Sequence, residues 1–522
     1  MKSFGIKRLV GFALAAMIVG APLAAAVPAL AQEAAPAAAP AADPAAPAAE
    51  AAAPADTAAP AAAPADAAPA EVAAPEKTVD KGDVAWMLAS TALVLVMTIP
   101  GLALFYGGLV RQKNMASVLM QVSTIAVIGM IAWTLWGYSL AFTDGGGMDS
   151  FIGGTARMFG AGLSDGTSLV ATFSTGIYLP EIIFFAFQMT FAAITPGLVV
   201  GAIAERMKFS AIIAFAILWP LICYYPIAHM VWWWAGPDTV AMAPGDPIQA
   251  GFIWGKGALD FAGGTVVHIN AGFAGLVACL LLGKRKGYPA EPMPPHSLTM
   301  TLIGTGLLWF GWFGFNAGSN LEANFYAALA LTNTLLATAA AGLSWIVVEW
   351  ITRGKPSLLG LCSGIVAGLV AVTPAAGFAG PVGAIVLGLV VSPICLVFVS
   401  LVKKALKYDD SLDVFGIHGI GGVIGAIGTG ILVNPALGGA GVVDYTSCAK
   451  DGDISTCDTA AYDLVTQVTA QLWGVGTTIL WTVIGSLIVF GLIKYTIGLR
   501  ASPEVEEEGL DITEHGERAY HA

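Results

Sequence analysis

The sequence predicts an all-α polytopic membrane protein of eleven transmembrane helices, arranged as two inverted five-helix repeats plus a final helix. Three observations predict it. Of 522 residues, 57% are hydrophobic and only 11% charged, with a mean hydropathy of +0.77, against about 25% charged residues in soluble domains. Windows long enough to cross about 30 Å of hydrocarbon give eleven apolar segments, centred near residues 96, 128, 190, 222, 272, 308, 338, 366, 391, 423 and 481. Finally, the basic residues alternate strictly between successive inter-span segments.

Residues 1–31 read as a secretory signal: Lys2, Lys7 and Arg8 lead, an apolar run follows from Leu9 to Val19, and Ala29-Leu30-Ala31 supplies small residues for cleavage. Residues 32–80 are a disordered linker, Ala- and Pro-rich, with too few large apolar groups to offset the entropy of ordering. The membrane domain spans 81–500 and a polar tail spans 501–522.

Arg111 and Lys113, Arg206 and Lys208, Lys284 to Lys286, Arg353 and Lys355, Lys403, Lys404 and Lys407, and Arg500 occupy every second segment, while the intervening ones hold only Arg157, Lys256 and Lys450. By the positive-inside rule the richer segments are cytoplasmic. Span one then begins outside and the C-terminus lies in the cytoplasm, as a cleaved signal also requires, so the protein is expected in the inner membrane. The net charge of −12 owes much to seven acidic residues in the last twenty, and no basic face exists for nucleic acid. Cys223, Cys279, Cys362 and Cys395 fall within spans, whereas Cys448 and Cys457 share one external, oxidising loop and are expected to pair.

Two of the six histidines stand in the middle of spans. His268 follows Asp260 by eight residues in span five, and His418 follows Asp410 by eight in span ten. The two spans run in opposite directions, as matching halves of an inverted repeat would, with the histidines meeting near the midplane. An ionisable group at that depth marks a pathway or a proton relay. No Cys, Asp or Glu accompanies the pair at ligand spacing, so neither a metal nor any other cofactor is expected. Gly263, Gly264, Gly272, Gly275, Gly419, Gly421, Gly422 and Gly425 suit close packing of the helices that carry them. An enzyme reading finds no nucleophile beside a base and no HExxH motif.

Three strings then become recognisable: Asp260 to His268 with Asn270, Trp309-Phe-Gly-Trp312-Phe-Gly-Phe315-Asn316-Ala-Gly-Ser319, and Asp413-Val-Phe-Gly-Ile-His418-Gly-Ile-Gly. Together with the tail from Glu508 to Tyr520 they resemble the Amt ammonium transporter family over roughly residues 80–520. The long Ala/Pro linker and the extended loop from Ala235 to Gly257 depart from the family pattern. The resemblance implies a homotrimer with one pore per subunit and an ammonium recruitment site formed by Phe191, Trp232, Phe315 and Ser319. It also implies a gate of Phe191 and Phe315, an acidic support at Asp260, and a tail that meets a PII-type regulatory protein at the cytoplasmic face.

Physical chemistry fills in the expected mechanism. Aromatic faces replace part of the hydration of ammonium by cation–π attraction, about 2 kcal/mol when desolvated, and Ser319 offers a lone pair to a hydrogen-bond donor, which ammonium is and an alkali ion is not. An apolar pore makes a full charge costly to carry, so the proton is shed and ammonia passes along His268 and His418. Asp260 is expected to cap free amides at the start of span five, with Asp413 doing the equivalent for span ten. The alternative within the same fold is an ammonium sensor that regulates nitrogen signalling.

Overall fold

The computed structural model describes residues 76–242, 248–448 and 454–520. The expected signal segment, all but the last residues of the expected linker, and Lys450 lie outside the described residues. Among these residues eleven helices are long and apolar enough to cross a membrane. They are span 1 (Lys81–Leu109), span 2 (Gln112–Phe142), span 3 (Glu181–Ile203), span 4 (Phe209–Trp232), span 5 (Gly264–Leu282), span 6 (Leu298–Gly318), span 7 (Phe325–Arg353), span 8 (Leu358–Ala375), span 9 (Pro381–Leu406), span 10 (Phe415–Leu432) and span 11 (Leu464–Thr496). Every centre expected from hydropathy falls inside its span.

Each boundary has a local cause. Span 1 starts where the Asp80 carboxylate accepts from the amides of Gly82 and Asp83, and it is interrupted at Ile99 (φ −132°, ψ 109°), just before Pro100. Ser297, Asn324, Ser357 and Asp463 cap spans 6, 7, 8 and 11 in the same way. Leu343, Trp350, Leu480 and Ile488 are exposed on spans 7 and 11, an apolar exterior that suits lipid. The segment joining spans 2 and 3 carries a short antiparallel ribbon, Leu169–Ala171 against Tyr178–Pro180.

Packing repeats itself. In the first half, span 1 packs on span 3, span 2 on spans 3 and 4, and span 3 on span 5; in the second, span 6 packs on span 8, span 7 on spans 8 and 9, and span 8 on span 10. The halves meet through their equivalent members, span 1 against span 6 and span 5 against span 10, while span 11 lies outside the repeat against spans 4, 5 and 10. An offset of five spans reverses direction, so the repeats are inverted.

The contact between spans 5 and 10 shows the two-fold relation at residue level. Gly272, four after His268, faces the residue after His418; a Cβ there would lie 2.2 Å from the Gly419 nitrogen. Gly422, four after His418, faces the residue after His268, with the Ile269 nitrogen 3.1 Å from a Cβ. Both helices begin with a π-helical stretch, Gly264–Ile269 and Phe415–Gly419, and each stretch carries its histidine.

Candidate functional site

The two imidazoles meet where spans 5 and 10 cross. Their Nδ1 atoms are 3.2 Å apart, the rings are inclined by 29°, and both side chains are buried. At that separation one Nδ1 carries the proton and the other accepts it, so the pair exists in two exchangeable arrangements. His268 Nε2 is buried with no hydrogen-bond partner, leaving one ring atom free for something that passes. Trp312 stacks on His268 at 5.4 Å and is itself fixed by its Nε1–H donating to Thr373 Oγ1 at 2.9 Å.

The side of the histidine pair remote from the Lys/Arg-rich loops is closed by aromatic rings. Phe191 and Phe315 stack at 4.1 Å with 17° between their planes, both fully buried, and Phe315 lies 6.1 Å from the His268 ring. Trp232 approaches Phe191 edge-on at 5.9 Å and is half-buried, its Nε1–H donating to the Asp260 carbonyl at 2.9 Å. Ser319 caps span 6 one turn after Phe315 and donates its hydroxyl to the Phe315 carbonyl at 2.8 Å. With its proton used there, its lone pairs remain available to a donor. The structure therefore brings Phe191, Phe315, Trp232, His268 and His418 into one chain of ring contacts, with Ser319 on the turn that carries Phe315.

Beyond His418, on the side of the basic loops, the path opens into a cavity of about 300 Å³ lined by His418, Ile417, Tyr106, Lys403 and Asp413. The passage is thus shut on one side by rings and open on the other.

Carboxylates hold both half-helices in place. Asp260 accepts from four amides, those of Gly263, Gly264, Thr265 and Val266, at 2.7 to 3.1 Å. These are the donors that a helix start leaves unpaired. Burial raises the Asp260 carboxyl above its ordinary range, and the four amides oppose that rise. For span 10 the expected residue, Asp413, is not the cap. Asp410 accepts from the amides of Val414 at 3.1 Å and Phe415 at 2.7 Å, while Asp413 has φ 63° and pairs with Lys403 at 2.6 Å. The reason is register: Asp413 sits too close to the first turn for its carboxylate to reach back over those amides, whereas the eight-residue spacing to the histidine already marked Asp410 as the partner of Asp260. Burial lifts the Asp410 carboxyl to about 6, against the attraction of Lys403.

A second charged group lies below this level. Arg285 bridges Asp409 at 2.8 Å and Glu205 at 3.0 Å, and Arg111 also pairs with Glu205. Burial opposes charge on Glu205 and Asp409, yet the guanidinium groups hold both carboxyls below their usual range. Their contribution to stability is accordingly present above the ordinary carboxylate range and lost as pH falls through the depressed values.

The tail, which as a bare charge run reads as solvated, is docked. Its helices Pro503–Glu508 and Leu510–His515 lie against the basic loops. The Asp511 carboxylate accepts from the amides of Ala116 and Ser117 at the start of span 2, Glu514 accepts from the Phe209 amide at the start of span 4, and Tyr520 contacts His296. On the opposite face Cys448 and Cys457 are joined by a disulfide. Trp312, Thr373, Tyr106 and Lys403 were not singled out as site residues from the sequence. Only Trp312 carried a signal, its place in the recognisable string before Phe315.

Sequence and structure comparisons show the family and the fold. A profile of the Ammonium Transporter Family matches residues 85–520. The chain is 44% identical over 449 residues to the "Ammonium transporter" of Aquifex aeolicus (strain VF5), covering 86% of this chain and 95% of that protein. It is 42% identical to the "Ammonium transporter" of Bacillus subtilis (strain 168), covering 84% and 98%. Among solved structures it is similar to a "Sensor Amt Protein" (TM-score 0.70, 27% identity, 83% of this chain and 98% of that one) and to Saccharomyces cerevisiae Mep2 (TM-score 0.69, 34% identity, 81% and 91%). The eleven-span inverted repeat, the crossing of spans 5 and 10 and these likenesses over most of its length make the chain a member of the ammonium transporter family.

Proposed function

We propose that the protein conducts ammonium through a pore that strips its proton on the way. Ammonium is recruited between Trp232, Phe191 and Phe315, where ring faces supply cation–π attraction of about 2 kcal/mol and Ser319 accepts one of its hydrogen bonds. Carrying the charge past the phenylalanine stack costs several kcal/mol of desolvation, so ammonium gives its proton to the free Nε2 of His268, a proton passes through the Nδ1 contact to His418 and on to the cavity, and ammonia follows along the two rings, so that one charge crosses with each molecule. It leaves through the cavity below His418. The observation that carries this reading is the imidazole pair at 3.2 Å with a free buried Nε2, placed under an occluding aromatic stack.

The test is current across a supported membrane on ammonium pulses, comparing the full-length protein with His268→Ala and His418→Ala. Loss of current, or loss of its selectivity, is expected in both. Selective current of undiminished size in both variants defeats the histidine pathway.

The same reading places the protein in the inner membrane as a homotrimer, with residues 1–31 removed as a signal, residues 32–80 as an external linker, the membrane domain at 81–500 and the tail 501–522 in the cytoplasm. There the docked tail forms part of the face that a PII-type regulatory protein meets. Truncation after Arg500 is expected to weaken binding of purified PII protein; undiminished affinity rules out that role. The second reading, an ammonium sensor, draws on the likeness to the structure titled "Sensor Amt Protein"; a wild-type protein that binds ammonium without current would favour it.

A further inference from the structure

Three residues before Trp232, the side chain of His229 is completely buried between the end of span 2 and the loop 143–153. Its Nδ1 lies 3.0 Å from the Ala141 carbonyl oxygen and its Nε2 lies 2.7 Å from the Asp149 carbonyl oxygen. A carbonyl only accepts, so each contact requires an N–H, and a neutral imidazole owns one. Both contacts are satisfied together only by the imidazolium. Burial opposes charge on the ring, and against it stand the two carbonyls, the Trp233 indole parallel to the ring (11°, 5.0 Å) and an Asp149 carboxylate oxygen 3.9 Å from Nε2. The charged groups that face the ring, Asp149 and Asp144, both belong to the loop 143–153.

We propose that His229 is held as an imidazolium that clamps the loop 143–153 onto the end of span 4, making it a positioning residue for the recruitment aromatic Trp232. The clamp extends to a second loop. The amide of Phe252 donates to the Ser150 carbonyl, and those of Gly251 and Ile253 donate to the carbonyls of Trp233 and Met230, on either side of Trp232. Loss of one proton sets a lone pair against a carbonyl oxygen at one of the two contacts and releases one loop from the turn that carries Trp232. Ammonium recruitment is then tighter in the protonated form and weakens as pH rises through the His229 titration, well below the pH at which ammonium itself deprotonates. This rests on the recruitment site proposed above.

Two measurements on the full-length protein in lipid test it. Nitrogen-15 spectra of histidine-labelled protein, with the His229 signals identified by their loss in His229→Gln, are expected to show both ring nitrogens protonated at mildly acidic pH. The apparent KM for ammonium is expected to rise about fivefold across the His229 titration, the ratio one hydrogen bond sets. Should His229→Gln fail to fold, Asp149→Asn serves instead. It keeps the oxygen that accepts from the Gly145 amide at 2.7 Å and removes only the counter-charge, so the KM midpoint should move to lower pH. One unprotonated ring nitrogen throughout roughly pH 5 to 8 overturns the proposal, as does a KM with the same pH profile in wild type and Asp149→Asn. Absence of any wild-type current defeats the charge-carrying transport reading instead, and the nitrogen spectra then decide the state of His229 by themselves.

Discussion

Spans 5 and 10 are built alike and finished differently. Each begins with a buried aspartate eight residues before a histidine, runs through a π-helical stretch, and presses a glycine four residues after that histidine against its counterpart. Yet Asp260 holds four amides where Asp410 holds two, and His268 lies under Phe315 and Trp312 where His418 opens on a cavity. The repeated part is the scaffold that brings two imidazoles together; the divergent part is what each end of the path requires. On the proposed pathway the aromatic side must discriminate, and its cap is held by four amides. On the same pathway the open side must release, and its cap lies beside the Lys403 ammonium, which pairs with Asp413 and donates to the Asp410 carbonyl.

The largest break in this comparison comes from the caps. Asp260→Ala leaves up to four buried amides without an acceptor and should cost about 4 kcal/mol, while Asp410→Ala, with two, should cost about 2 kcal/mol. Thermal unfolding in one detergent ranks them, and equal losses would mean that the amide count is not what matters. Next come the glycines. Gly272→Ala places a methyl 2.2 Å from the Gly419 nitrogen and should destabilise by about 3 kcal/mol, whereas Gly422→Ala, with its nearest neighbours at 3.0 Å, should cost about 1 kcal/mol. The same unfolding assay, with surface expression as a second readout, checks the difference.

Two smaller effects sharpen the aromatic side. Trp232→Leu removes a cation–π face and should raise the KM for ammonium roughly tenfold. Ser319→Ala removes one acceptor and should raise it about fivefold, with a greater loss of preference for ammonium over potassium. Measured on the same preparation, the ratio of the two separates ring attraction from hydrogen bonding.

Much of the fold was legible because hydropathy over a span is a sum of twenty independent votes, and no tertiary contact is needed to count them. The repeat was legible in one number, the shared eight-residue spacing. What escaped was anything decided by the direction of a short side chain at a helix start. Asp410 and Asp413 are three residues apart in one polar stretch, and only the backbone path, with Asp413 at φ 63°, settles which one reaches the amides. The docked tail was legible only through the family resemblance: on charge alone its acidic residues look solvated until the helix starts that Asp511 and Glu514 cap are in place. Thr373 escaped because its partner, the Trp312 indole, lies on another span.

The close approach at Gly272 and Gly422 bears on speed. Two helices whose backbones interlock at a separation that excludes a single methyl cannot slide past each other, so the histidine pair stays at one spacing throughout a transport cycle. On the proposed pathway the parts that have to move are rings: Phe191 and Phe315, stacked and buried, must swing aside for each molecule that enters. Rotamer flips of exposed side chains take picoseconds to nanoseconds and domain rocking microseconds to milliseconds; two stacked, fully buried rings part more slowly than the first. On that pathway the interlock makes the pore a fixed conduit with an aromatic shutter, whose throughput follows how often two stacked rings part.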